Sequence, residues 1–268
     1  MQFSVLSSGS SGNALYIQSG ETRILLDAGI SGKQLETRLQ SVAGVSLSQL
    51  SAILVTHEHV DHVRGLPQAL KQSSALAYMT DGTRHAVADT ITKAIPSADP
   101  DARMKGVVAG EPFSIADVRV TPFAVSHDAT EPVAYRFDAG DASLAVLTDL
   151  GYVSDAIKEI VHGCRCFVLE TNHDVNMLRA GRYPWNVKKR ILGDKGHLSN
   201  EDAAVALTDL LGTDEVEVYM AHLSEENNQP DLAKITVEST IREIHPRYVE
   251  QVRLHHTSRK QPTLLRQI

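Results

Sequence analysis

Ala52-Ile53-Leu54-Val55-Thr56-His57-Glu58-His59-Val60-Asp61-His62 decides how this chain is read. The four apolar residues predict a short buried strand, since β-branched and aliphatic side chains run together there without a polar break. Directly after them, three imidazoles and the Asp61 carboxylate fall within six positions. A lone pair of histidines at this spacing would suit a solvated loop equally well, but four such groups together form a metal-ligand pattern. Where a strand continues as an extended loop, alternate side chains share one face. His57, His59 and Asp61 are therefore expected to converge while His62 turns toward a neighbouring point, so that one loop serves two adjacent metals. Imidazole with carboxylate and no thiolate suits zinc, manganese or iron. Structural zinc sites usually recruit cysteine, so the expected site is catalytic.

The first half opens with expected strands at Ser4–Leu6, Ala14–Gln18 and Thr22–Leu26, separated by Ser/Gly turns. Helices are expected at Lys33–Leu39, Gly65–Gln72 and Asp81–Ile91, interleaved with strands Ile53–Val55 and Ala75–Met79. A second series begins near Phe113, with strands Ile115–Thr121, Val133–Phe137, Leu144–Leu147, Phe167–Leu169 and Val216–Met220. Its helices are Ser154–Val161, Asn200–Leu211, capped by Ser199 with Asp202 at the third position, and Pro230–Ile244. Two strand-rich halves, each with helices, predict an α/β protein built as a four-layer αββα sandwich. Ala94–Met104 reads as a loop without a compositional boundary, so residues 1–268 are expected to form one domain.

Several polar residues end probable strands. Asp27 closes Arg23-Ile24-Leu25-Leu26, His127 follows Phe123-Ala124-Val125, Asp149 follows Ala145-Val146-Leu147, and His222 follows Val218-Tyr219-Met220-Ala221. Strand ends are where sites collect in layered α/β architectures. Asp27 there could orient a metal-binding imidazole.

With these residues in order, the chain resembles the metallo-β-lactamase fold hydrolases, whose motifs run Asp, His-x-His-x-Asp-His, His, Asp and His. The resemblance spans nearly the whole chain. It implies that His57, His59 and His127 hold one metal, that Asp61, His62 and His222 hold the second, and that Asp149 bridges both with Asp27 behind them. The implied cofactor is a pair of divalent ions, zinc or manganese with iron as a further choice. Such ions, about 3.5–4 Å apart, can share and deprotonate a water and neutralise charge on the attacked group, so the implied reaction is hydrolysis.

Glu170, at the end of a predicted strand, and His197, just before a predicted helix, are similar to a Glu/His pair in the branch of tRNA 3′-end processing endonucleases. There the Glu orients the His, which helps to protonate the leaving oxygen. The span from His127 to Asp149 is too short for the protruding arm of those enzymes, and Asp149 to His222 leaves no room for a beta-CASP insertion. The segments Ser7–Asn13, Glu170–Asp174, Gly196–Asn200 and His222–Asn228 are instead similar to the compact YycJ/WalJ-like subgroup. That resemblance implies a metal-dependent phosphodiesterase with 5′-to-3′ exonuclease action, acting on single-stranded or end-containing DNA. A cyclic phosphodiesterase, a thioesterase or a metal-stabilised scaffold stand as the competing readings.

The Ser/Gly loop around Gly9 and Gly12 could cradle phosphate, although hairpin turns use such loops more often. Lys188-Lys189-Arg190 with Lys195 could track a nucleic-acid backbone or form a solvated helix face. Trp185 could stack a base, with core or loop packing the favoured reading. Asn172 and His173 could touch substrate, while His85, His162, His245, His255 and His256 lack a motif and read as surface or structural histidines. The net charge of −7 argues against bulk electrostatic coating of nucleic acid but not against a nuclease, because two divalent ions add local positive charge. The N-terminal stretch has no signal-peptide pattern and no apolar run approaches membrane-spanning length, which predicts no membrane association. Cys164 and Cys166 would share one face of a strand, too close for an ordinary disulfide, which with the missing signal predicts reduced thiols and a cytoplasmic protein.

Overall fold

The continuous apolar runs Ala52-Ile53-Leu54 and Phe167-Val168-Leu169 become fully buried strands in parallel register, one in each half of the chain. The computed structural model describes residues 1–95, 100–211 and 214–268, with fourteen strands in two sheets of seven. Contacts divide the chain into two compact units. The first holds Met1–Ala124, Ala129–Asp141 and Thr257–Ile268; the second holds Val125–Asp128 and Ala142–His256.

In the first unit, β1 (Gln2–Ser7), β2 (Ala14–Ser19) and β3 (Thr22–Leu26) pair antiparallel, and β3 continues in parallel register to β4 (Ala52–Leu54), β5 (Leu76–Met79) and β6 (Met104–Gly106). A two-residue terminal strand, Arg266–Gln267, pairs with β1. The helices are α1 (Gly32–Ala43), α2 (Val60–Val63), α3 (Leu66–Gln72), α4 (Asp81–Ala94) and α5 (Pro100–Arg103). Leu35 and Leu39 of α1, Leu70 of α3 and Val87 of α4 join Ile53 and Leu25 in one buried core. Helix α1 starts in a reciprocal capping box between Ser31 and Gln34 and ends at Gly44 in the left-handed region, φ 64°. The expected loop Ala94–Met104 is only partly seen: residues 96–99 lie outside the described residues, while α5 and the first residue of β6 occupy its end.

The expected strand Ile115–Thr121 is instead a hairpin. β7 (Phe113–Ile115) turns into β8 (Val118–Ala124), which pairs with β9 (Val133–Ala139). Ala116 sits at φ 48°, and Asp117 accepts hydrogen bonds from Ser19 Oγ and Thr22 Oγ1 at 2.5 Å each. These distant hydroxyls pin a turn that the local sequence does not announce. Tyr135 of β9 donates to the Val55 carbonyl at 3.0 Å, and Val133 N donates to Thr56 O at 3.0 Å, which ties β9 to the segment leaving β4.

The second unit is a parallel sheet of β10 (Ala142–Leu147), β11 (Cys166–Glu170), β12 (Val216–Ala221) and β13 (Val252–His256). Its helices are α6 (Asp155–Val161), α7 (Val175–Ala180), α8 (Trp185–Ile191), α9 (Asn200–Thr208) and α10 (Pro230–Ile244). The Ser199 hydroxyl accepts from Asp202 N at 3.0 Å and starts α9 as expected; α9 ends at Thr208, short of the anticipated Leu211. Cys164 and Cys166 are both buried, and burial pushes the Cys166 thiol well above its usual range.

Two expectations about α8 are corrected. Lys188 does not face solvent: its ammonium donates to Arg179 O and Gly181 O, each at 2.7 Å, satisfying carbonyls at the end of α7. Trp185 is packed in no core, being 69% exposed. Among the described residues no helix is long and apolar enough to cross a membrane.

Candidate active site

The extended path after β4 lasts only as far as His59, which occupies the N-cap position of α2 with φ −59° and ψ 146°. From Val60 the chain turns helical, so Asp61 and His62 lie on a helical turn rather than on alternate positions of a loop. An acidic residue in the first turn favours that helix start, because it meets the positive end of the peptide dipoles. The donors still gather: the His57 ring lies 4.1 Å from His62 and 4.6 Å from His59, centroid to centroid, and Asp61 Oδ2 is 3.8 Å from His62 Nε2. His57 and His62 are fully buried, whereas Asp61 and His59 are partly open.

Asp27 holds this group together. Its Oδ1 accepts the Thr56 amide at 2.9 Å, and its Oδ2 meets His62 Nδ1 at 2.8 Å and the Thr56 hydroxyl at 3.0 Å. With the Nδ1 proton committed to Asp27, the His62 lone pair is at Nε2, the tautomer that a metal ligand needs. Asn13 donates to that Nε2 at 3.0 Å, its backbone N donates to Asp61 O at 2.7 Å, and its side-chain oxygen accepts Gly9 N at 2.9 Å. Gly12 N in turn donates to Gly9 O at 2.9 Å, so these two amides close a turn instead of cradling phosphate. Asn13 was not singled out from sequence. It meets the histidine cluster only through a contact 49 residues long.

Gly29 is required for this approach. A Cβ there would lie 1.6 Å from Asp61 O and 2.6 Å from Asn13 N, both backbone atoms. Gly29→Ala is expected to cost about 3 kcal/mol, from overpacking that no rotamer change relieves. Urea unfolding at equilibrium measures it; an unchanged midpoint would show that the backbone yields.

In the second unit the candidates collect at the C-terminal ends of β10, β11 and β12, as in other parallel α/β sheets. Asp149, Glu170, His197 and His222 each offer a ligand atom, and these atoms lie within 4.8 Å of one another. The fully buried Glu170 uses Oε1 twice, to His197 Nδ1 and to His222 Nδ1, both at 2.8 Å, while its Oε2 accepts Leu150 N at 3.1 Å. Burial alone would raise the Glu170 pKa, but the two imidazoles more than offset it and hold the carboxyl well below its usual range. For His197, burial pulls the pKa down and the charge and hydrogen bond of Glu170 more than reverse it, leaving a net rise. His222 Nδ1 is also 3.5 Å from Asp149 Oδ1, and Asn172 Nδ2 donates to His222 O at 2.8 Å. His127 Nδ1 lies 3.2 Å from Gly196 O, which assigns that proton and leaves Nε2 as the lone pair; burial lowers the pKa and outweighs the opposing charges of Asp149, Glu170 and Asp128, so the ring is neutral.

His173 is brought near the group but not to its surface. It is 1% exposed, and burial lowers its pKa to about 4. Asn172 is likewise buried and spends its amide on the His222 carbonyl, so neither meets solvent as a substrate contact would. Of the histidines without a motif, His85 bonds Asp81 O, His255 pairs with Glu217 and His256 lies 3.7 Å from Asp231.

Three site residues share a backbone device. Asp27, Asp149 and His222 have φ of 58°, 59° and 56°; Ala116 is the fourth non-glycine in that region among the described residues. Left-handed backbone costs roughly 1–2 kcal/mol per residue and turns a strand end sharply, and Asp and His tolerate it better than most. The donor sets in both units, imidazole and carboxylate without thiolate, fit a divalent metal.

The profile named Beta-lactamase superfamily domain matches residues 22–222. Exodeoxyribonuclease YycJ of Bacillus anthracis is 41% identical over 268 residues, covering 100% of this chain and 99% of its own. This chain belongs to the metallo-β-lactamase superfamily and to its YycJ/WalJ group. Exodeoxyribonuclease WalJ of Streptococcus pneumoniae, strain R6, is 39% identical over 236 residues, 88% of this chain and 86% of its own. In fold, the chain is similar to zinc-bound PqqB of Methylobacterium extorquens, with TM-score 0.70, 19% identity and full coverage of both chains. Two sheets with flanking helices are therefore the metallo-β-lactamase fold expected from sequence, and this member of the superfamily is a metal-dependent hydrolase.

Proposed function

We propose that this chain is a two-metal phosphodiesterase that degrades DNA from an end, in the 5′-to-3′ direction, on single-stranded or end-containing substrates. The Glu170–His197 hydrogen bond at 2.8 Å carries the phosphodiester reading, because an alkoxide leaves poorly at neutral pH and this pair can supply its proton. Similarity to the YycJ and WalJ exodeoxyribonucleases over most of the chain supports DNA as the substrate.

In this reading His57, His59 and His127 would hold one ion, Asp61, His62 and His222 the second, and Asp149 both, with zinc or manganese the fitting metals. Bound ions would supply Lewis acidity and a water acidified toward neutrality. The chain's own residues do the rest. Asp27 and Thr56 fix the His62 ring, Gly196 O sets the His127 tautomer, and Glu170 aims His197 by its Nδ1–H. His197 Nε2 is then the atom from which a proton passes to the leaving oxygen. We also take residues 1–268 as one functional domain, since the family match runs through both compact units, and place the protein in the cytoplasm, where its two buried thiols stay reduced.

The test is a time course on 5′-phosphorylated, end-labelled single-stranded DNA and RNA with zinc- or manganese-loaded protein. Progressive release of nucleotides from the 5′ end of DNA is expected. Internal cuts, a preference for RNA, or faster turnover of cyclic nucleotides than of oligonucleotides would each overturn that part of the reading.

A further inference from the structure

Helix α8 carries a surface that the hydrolytic centre leaves unexplained. Trp185, the only tryptophan of the chain, stands 69% exposed at the start of α8, where an indole gives up the burial that usually stabilises it. Lys189 follows four residues later, so the two side chains share one face of the helix. From 182 to 195 the chain has five cationic residues and one acidic residue, Asp194, whereas over the whole protein acids outnumber bases 33 to 26. Lys188 is spent on carbonyls of the α7 end and Arg190 on Asp128, at 3.1 Å. Arg182, Lys189 and Lys195 are exposed and form no ion pair with a described residue.

This surface adjoins the reacting groups within the same unit. Ile191 O, at the C-terminal end of α8, accepts the His197 amide at 3.1 Å, and Arg190 pairs with Asp128, the residue after His127, at 3.1 Å. Trp185 stands six residues before Ile191, about 9 Å along the helix axis at a rise of 1.5 Å per residue. Stacked nucleotides advance about 3.4 Å each, so that length corresponds to roughly two to three nucleotides.

We propose that the exposed face of α8, with the turn that follows it, is a platform for single-stranded DNA, on which Trp185 stacks an unpaired base while Lys189 on the helix and Lys195 in the turn neutralise phosphates. The proposal rests on the reading of DNA as substrate. Positive charge without acidic partners matches a phosphate chain, and a free aromatic face takes any base, so binding is sequence-tolerant. A duplex keeps its bases stacked within itself and offers the indole no partner.

Intrinsic fluorescence reports this directly, because all tryptophan emission comes from Trp185. The full-length protein is titrated with a 5′-phosphorylated phosphorothioate oligothymidylate and, separately, with a blunt duplex of the same length. Emission is expected to be quenched by the single strand. Trp185→Ala is expected to weaken binding about tenfold by fluorescence anisotropy of a labelled oligonucleotide, with Trp185→Phe recovering most of the loss. Lys189→Glu and Lys195→Glu should each lower the salt dependence of binding by about one unit of slope. The same variants are assayed on a cleavable oligonucleotide and on bis(p-nitrophenyl) phosphate, and Trp185→Ala should lower the ratio of kcat/KM on the first to that on the second by about tenfold. Unaltered emission, unaltered affinity of Trp185→Ala, or equal affinity for the duplex overturns the platform. Wild-type cleavage of the oligonucleotide with an unaltered ratio in Trp185→Ala overturns the platform alone, whereas a wild type that cleaves no oligonucleotide overturns the DNA reading and the platform with it.

Discussion

Asp61→Ala is expected to lose at least about 10³-fold in kcat/KM on DNA while keeping the wild-type far-UV circular dichroism and unfolding midpoint. The two halves of this expectation come from different atoms of one residue. The Asp61 peptide carbonyl accepts Asn13 N at 2.7 Å and sits against Gly29, and both contacts survive loss of the side chain. The carboxylate is partly open, lies on a first helical turn, and meets the His62 and Asn13 side chains at 3.8 and 3.5 Å, so its removal leaves no cavity in the core. Its proposed work is to hold a cation. Lewis-acid stabilisation is worth several kcal/mol, and each 1.36 kcal/mol is a factor of ten in rate. Metal analysis should show less than the wild-type content per chain, and chelation of the wild type should reproduce the loss until zinc or manganese is restored. A variant with near-wild-type turnover and full metal content would remove Asp61 from the ligand set.

That residue also marks where sequence reading stops. Strand periodicity and the motif order were enough to place Asp27, His57, His127, Asp149 and His222 at element ends, because apolar runs stop abruptly before them. The long amphipathic helix Pro230–Ile244 was legible to the residue, with a proline at its start and a buried stripe of Ala233, Val237 and Ile241. Alternation along an extended loop predicts that Asp61 faces His57, whereas it sits on a helical turn beside His62, and only tertiary contacts choose between the two. The left-handed backbone at Asp27, Asp149 and His222 leaves no mark in the sequence, because none is glycine. Edge elements were missed for a related reason. Two of the three residues of β6 are exposed, and β13 has no fully buried residue, so neither shows the apolar run of an interior strand. Helix α8 is only seven residues long and buries just Lys188 and Ile191, too few for a 3.6-residue period to emerge.

His197→Ala is expected to lower DNA hydrolysis by about 10²–10⁴-fold, the usual range for a general acid, and to lower hydrolysis of bis(p-nitrophenyl) phosphate far less. A nitrophenolate departs without a proton, whereas a sugar alkoxide needs one, so leaving-group dependence separates proton donation from binding or folding. The geometry favours donation. His197 Nδ1 is committed to Glu170 at 2.8 Å, which leaves Nε2 to act, and the side chain is 15% exposed where Glu170 is fully buried. Protonation is favoured as well: burial disfavours the imidazolium, the Glu170 charge and hydrogen bond reverse that effect, and the net pKa is raised. Glu170→Gln is expected to show the same leaving-group pattern in milder form, because the amide keeps the shape but not the charge that holds the proton. Equal losses on both substrates would assign His197 to substrate positioning instead. The outcome bears on more than one residue, since Glu170 Oε1 also holds His222 at 2.8 Å. A single buried carboxylate would then orient the proton donor and a proposed metal ligand together, so that neither could shift without the other.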